Sequence, residues 1–129
     1  MAHSRSWFVQ KLGAHEWFAR ETWRAGVTEM VGMTLYNFFQ QSLVLAAHRM
    51  AGTYTAPADT QPPPSVYSTP IIAFGTIVLI ALLIFAMSPL SGAHFNPLVT
   101  ASTMCTGLMS LARGLVYLMF QFASGFLGS

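Results

Sequence analysis

A charge-free hydrophobic stretch, Ile71 to Met87, runs almost directly into the polar, proline-bearing sequence Ser91-Gly-Ala-His-Phe-Asn-Pro-Leu-Val-Thr100. The stretch holds 17 residues, 11 of them Ile, Leu, Val or Phe. It reaches about 25 Å along a helix, close to the thickness of a bilayer core, and its apolar residues together favour insertion by roughly 3 to 7 kcal/mol. A break in helical structure at membrane depth is tolerated only where backbone groups are buried in protein or line a watery cavity. Each unsatisfied N–H or C=O in lipid costs on the order of 2 to 7 kcal/mol. The turn therefore points to a pore or a binding site.

Read residue by residue, Asn96 is a favourable N-cap and Pro97 suits the first helical position, where its missing N–H is no loss. Leu98 to Met109 can then continue as a short helix of roughly three turns. Such a half-helix aims a positive dipole end, on the order of half an elementary charge, beyond Asn96. A cation is repelled there, whereas a neutral solute can accept a hydrogen bond from the Asn96 amide. That chemistry suits water or a small uncharged molecule.

The run Ser91 to Thr100 resembles the first signature loop of the aquaporin, or major intrinsic protein, superfamily, Ser-Gly-Ala-His-x-Asn-Pro-Ala-Val. Glu29-Met-Val-Gly32 is similar to the family's Glu-x-x-Gly, and Arg113, Tyr117 and Gln121 match its third span. The resemblance covers about Thr28 to Ser129. It implies an all-α membrane protein with three transmembrane helices and one re-entrant half-helix, the first of the family's two inverted repeats and thus half of a channel. Gly92, His94, Asn96, Pro97 and Leu98 are then the signature residues, with Glu29 bracing the backbone of the loop and His94 making a bracing hydrogen bond. Leu98 stands where the family has Ala. With Ser88-Pro89, it resembles the divergent X-intrinsic-like and fungal members.

Composition agrees, at 53% hydrophobic and 8% charged, since so few charges over long apolar segments argue against a small soluble domain. Residues 1–24 read as a cytoplasmic N-terminal segment, 25–47 as the first span, 48–70 as an extracellular Pro-rich loop, 71–87 as the second span, 88–110 as the signature loop and half-helix, and 111–129 as the third span. The first span carries Glu29, Asn37, Gln40 and Gln41, which are expected to face protein. In the third, Ser124 with Gly128 and Gly125 with Ser129 form small-xxx-small pairs suited to close helix packing. Tyr117 and Gln121 share a helical face, suited to internal hydrogen bonding.

Arg5, Lys11, Arg20 and Arg24 precede the first span, while the following loop carries Arg49 and Asp59. Positive charge collects on the cytoplasmic side, so the N-terminus of this multi-pass protein is expected there, with the signature loop entering from the same side. Met1 to Trp23, with Trp7, Phe8, Leu12, Trp17, Phe18 and Trp23, reads as an interfacial amphipathic helix or as a tail with aromatic anchors. It has no apolar h-region before a small-residue cleavage site, so it does not read as a signal peptide. Ala51 to Pro70, with Pro57, Pro62, Pro63, Pro64 and Pro70, reads as a linker without helix.

Other chemistries find little support. His3, His15, His48 and His94 lack metal-ligand spacing, and the single Cys105 permits no intrachain disulfide. No phosphate loop or nucleophile–base pair is present, so neither an enzyme nor a cofactor is expected. The net charge of +2 is scattered and forms no nucleic-acid surface. The expected partners are the lipid bilayer, water or a small neutral solute such as glycerol, and a second repeat or full-length aquaporin-like subunits.

The resemblance also assigns one residue of the second span to the narrowest constriction. Ala73-Phe74-Gly75 is similar to that segment and Phe74 is the expected residue, although counting back from Asn96 lands nearer Gly75 or Thr76. The family's cation-repelling Arg belongs to the second repeat. Three functions follow: half of a passive channel completed by that repeat, a truncated non-conducting paralogue that associates with full-length channels, or a pore self-assembled from two copies. The basic residues before the first span disfavour the last, because an inverted pair needs half the molecules to insert the other way round.

Overall fold

The computed structural model describes residues 12–52 and 64–128. These residues form a 3-10 turn at Ala14–Phe18 and four α-helices, with no strand among them. The helices are α1 (Arg20–Gly52), α2 (Pro64–Ser91), α3 (Pro97–Cys105) and α4 (Leu111–Leu127). The all-helical fold agrees with the sequence. α1 lies between α2 and α4, and α3 rests on α4.

The helices overrun several expected bounds. α1 has 33 residues, roughly 50 Å, and extends past both ends of the expected 25–47. It contains no proline, and Glu21 in its first turn and Arg49 in its last complement the helix dipole. α2 starts at Pro64, within the stretch read as a linker without helix, and carries Pro70 and Pro89 inside it. A proline at a helix start forfeits only an N–H that has no intrahelical partner, and each interior proline removes one backbone hydrogen bond. The remaining linker prolines, Pro57, Pro62 and Pro63, lie outside the described residues. α3 is shorter than expected, ending at Cys105 instead of Met109. Gly107 turns left-handed at φ 75°, and the N–H groups of Leu108 and Met109 close the end by donating to Thr103 O at 3.0 and 3.2 Å.

Over its described part, the N-terminal segment is a 3-10 turn at Ala14–Phe18 leading into α1, not one continuous amphipathic helix. Glu16 Oε2 accepts a hydrogen bond from Ser110 Oγ at 2.5 Å, and Ser110 also caps α4 by accepting from Arg113 N. Trp23 donates its indole N–H to Trp17 O at 2.7 Å. Trp17 meets Trp23 edge to face, and Trp23 meets Phe120 likewise, at ring separations of 6.0 and 5.9 Å. Trp7 and Phe8 lie outside the described residues.

The buried set is polar to an unusual degree: Thr22, Glu29, Ser68, Ser91, Thr100, Gln121 and Ser124 accompany small apolar residues, Phe95, Val116 and Tyr117. Large apolar side chains such as Phe85, Leu108 and Phe126 face outward. Burying polar groups while exposing aromatic and aliphatic ones inverts the usual preference in water. Among the described helices, one run, Ser68–Ser91, is long and apolar enough to cross a membrane, and none of its most apolar window is buried. α4 is apolar but shorter.

Within α1, Gln40 Oε1 accepts from Thr76 Oγ1 of α2 at 3.0 Å. Gln41 does not face protein. It is exposed and lines an open groove with Phe38, Ser42, Leu45, His48 and Gly128. Gly128, of the pair with Ser124, sits so close to α1 that an added Cβ would come 2.7 Å from Asn37 Cβ; of the pair Gly125 and Ser129, Ser129 lies outside the described residues.

Candidate functional site

Between the end of α2 and the start of α3 the chain reverses through three left-handed residues, Gly92, Ala93 and Phe95, at φ 90°, 49° and 45°. Only glycine adopts this region without cost; an L-residue with a Cβ is disfavoured by roughly 1–2 kcal/mol. Ala93 and Phe95 therefore need support from elsewhere in the fold.

Much of that support converges on Glu29, which is wholly buried. Its Oε1 accepts from Ser91 Oγ at 2.6 Å and from His94 N at 3.0 Å. Its Oε2 accepts from Phe95 N at 2.7 Å and from Gln121 Nε2 at 3.0 Å. One carboxylate thus receives two backbone N–H groups of the turn, a hydroxyl from the end of α2 and an amide from α4. Ser91 Oγ in turn accepts from Ala93 N at 3.0 Å, and Tyr117 donates to Ser91 O at 2.6 Å. Arg113 donates to the Tyr117 hydroxyl at 3.2 Å.

The ring of Phe95 packs over Gly32, one turn beyond Glu29, where any Cβ would overlap it. The loop reaches Asn96 in extended conformation, φ −155°. Asn96 Oδ1 accepts from Leu98 N at 2.8 Å, so the amide oxygen is committed to capping α3. The other end of the amide is an NH2 donor. The Asn96 side chain is exposed, as is Leu98, while Thr100 is fully buried beneath them. A loop fixed from behind thus presents a donor at the N-terminus of a short helix.

The major intrinsic protein family model matches residues 16–129. The chain belongs to this family. Its relatives include aquaporin-3 of Milnesium tardigradum, 27% identical over 107 residues, with 80% of this chain and 30% of that protein covered. Aquaporin-1 of Pongo abelii is 31% identical over 108 residues, covering 84% of this chain and 37% of that protein. An aquaporin of the PIP type from Atriplex canescens is 28% identical over 107 residues, covering 82% and 34%. The chain spans about a third of the length of these relatives. No solved structure gives a significant match.

Within this major intrinsic protein chain, the structure gathers Glu29, Gly92, His94, Asn96 and Pro97 around the turn. Phe74 stands apart from them, 71% exposed on α2, a helix whose main contact is with α1. Cys105 is exposed and free at the end of α3. Among the described residues no group of His, Cys, Asp and Glu is disposed to hold a metal ion. Sequence reasoning missed two participants. Ser91 was read only as part of the motif, yet it bridges Glu29 and Ala93. Thr100, the one buried residue of α3, joins His94 and Gln121; α3 also carries Ser102 and Thr103, whose hydroxyls donate back to its own carbonyls, so no sequence signal singled Thr100 out.

Proposed function

We propose that this chain supplies the first repeat of a passive membrane channel for water or small neutral solutes, conducting when a second repeat completes it. The carrying observation is Asn96. Its oxygen caps α3 and its amide N–H groups are left to meet a solute oxygen at the positive end of a helix dipole. Three spans then lie in the bilayer with the N-terminus cytoplasmic, and α3 re-enters from the cytoplasmic side. The outward-facing apolar run of α2 supports that placement. Glu29 serves as the brace of the loop, and transport is passive because nothing in the site couples to an ion or a nucleotide.

The test is osmotic swelling of liposomes that hold the chain together with a second repeat, either fused after Ser129 or co-expressed. Water permeability above that of empty vesicles, lowered by Asn96→Asp, is expected. Aspartate keeps the capping oxygen and removes the donor. Permeability unchanged by Asn96→Asp removes Asn96 from the pore.

A second reading has its own observation. Leu115, Met119, Phe122 and Phe126 of α4 are exposed, an apolar surface open to another subunit. A non-conducting subunit that associates with full-length channels would use it. Co-purification with such a channel, without permeability in any completed assembly, favours that reading.

A further inference from the structure

Glu29 acts beyond the loop it contacts. Its acceptance of a hydrogen bond from Gln121 at 3.0 Å fixes which end of that amide is nitrogen, because the amide oxygen would face a carboxylate oxygen with no proton between them. The second hydrogen of the same nitrogen is directed to Thr100 Oγ1 at 2.9 Å. The Thr100 hydroxyl, having accepted, has one proton to give.

Two acceptors lie near it, Gln121 Oε1 at 3.3 Å and His94 Nδ1 at 3.1 Å. Donation to Oε1 would turn the hydroxyl hydrogen back on the amide whose N–H it already receives, at a distance beyond the usual range for O–H···O. Donation to Nδ1 is free of that conflict. We infer that Thr100 is a positioning residue for His94: its hydroxyl donates to Nδ1 and holds the imidazole as the Nε2–H tautomer.

The consequence lies on the far side of the ring. Nε2 has no hydrogen-bond partner among the described residues and is not enclosed, and a Cβ added at exposed Gly92 would meet it at 3.7 Å. His94 therefore presents a proton outward beside Gly92. On the channel reading, on which this functional role rests, a solute oxygen meets a donor at His94 as it does at Asn96. Thr100 sets that polarity from a buried position that no solute touches, through a relay that begins at Glu29.

Nitrogen-15 NMR of the labelled full chain in lipid nanodiscs tests this, with the His94 signals assigned by their loss in His94→Gln. In the wild type, Nε2 carries the proton, and bare Nδ1 resonates upfield of a free imine nitrogen because it accepts a hydrogen bond. Thr100→Val, which replaces the hydroxyl by a methyl of similar size, moves the Nδ1 resonance, downfield where the ring stays Nε2–H and has lost only the hydrogen bond, upfield where the released ring takes its proton on Nδ1; Thr100→Ser leaves it at the wild-type position. A proton on Nδ1 in the wild type overturns the proposal, as does an Nδ1 resonance unmoved in Thr100→Val. Where the valine variant does not fold, the wild-type protonation pattern and the serine variant decide the matter. None of these signals depends on conduction, so failure of the swelling assay and failure of the tautomer are separate results.

Discussion

The carboxylate of Glu29 and the backbone N–H of Phe95, 66 positions apart in sequence, meet at 2.7 Å. Phe95 is one of two left-handed residues in the turn that carry a Cβ, and this bond holds its peptide group. A strained local conformation is thus secured by a distant acceptor, as expected where the surrounding structure over-determines an unfavourable backbone.

Glu29→Gln is expected to fold with lowered stability, by about 1–3 kcal/mol, because one carboxylate oxygen becomes an NH2 group facing donors. Thermal unfolding in detergent measures the loss. Glu29→Leu, which leaves four donors without their acceptor, is expected to lose the folded state. A Gln variant as stable as the wild type would show that the four bonds contribute no net stability.

Gly92→Ala isolates backbone strain from crowding. The added Cβ meets nothing closer than 3.7 Å, so the expected loss of about 1–2 kcal/mol comes from the left-handed conformation alone. A melting temperature equal to that of the wild type would contradict the φ of 90°.

Gly32→Ala tests the opposite case. Its methyl overlaps the ring of Phe95, and overpacking of this kind costs about 1–3 kcal/mol. The completed channel is expected to lose water permeability as the loop shifts. A small-to-large change in Phe95 itself cannot compensate, whereas Gly32→Ala combined with Phe95→Leu is expected to recover part of the stability.

Asn96→Ala and Asn96→Asp should separate capping from solute contact. Alanine removes the cap of α3 and costs about 1 kcal/mol. Aspartate retains an oxygen for Leu98 N and is expected to be the more stable of the two. Unfolding curves for the pair check the order.

Ser110→Ala removes both the N-cap of α4 and the bond to Glu16. Faster proteolytic cleavage within Ala14–Phe18 is expected, together with a loss of about 1 kcal/mol in global stability. Cleavage at the wild-type rate would mean that the aromatic contacts of Trp17 and Trp23 hold the turn unaided.

What the residues made legible by their own chemistry was local, and the reach of Glu29 to the loop entered only through the resemblance. The capping of α3 by Asn96 and Pro97 follows from the chemistry of two adjacent residues, and the apolar run of α2 announces itself by composition. The start of α2 was misread because several prolines together suggest extended chain, although Pro64 stands where a helix loses nothing by having one. The end of α3 was misread because Leu108 and Met109 suit a helix by type, and only the left-handed Gly107 stops it. The turn at Ala93 and Phe95 was not legible from neighbouring residues. Nothing in an alanine or a phenylalanine requires positive φ; Phe95 N is held by Glu29, 66 positions away, and Ala93 N by Ser91 Oγ, which is itself bound to Glu29. Thr100 depends in the same way on Gln121, 21 positions later.

All four partners of Glu29 lie later in the chain: Ser91, His94, Phe95 and, 92 positions on, Gln121. A ribosome adding about 5–20 residues per second would deliver the last of them roughly 5–20 s after Glu29 itself. On the membrane reading, α1 meets the insertion machinery bearing a carboxylate with no internal acceptor sites filled. The set of four is complete only once α4 has been made, and the order of translation becomes part of how the turn is assembled.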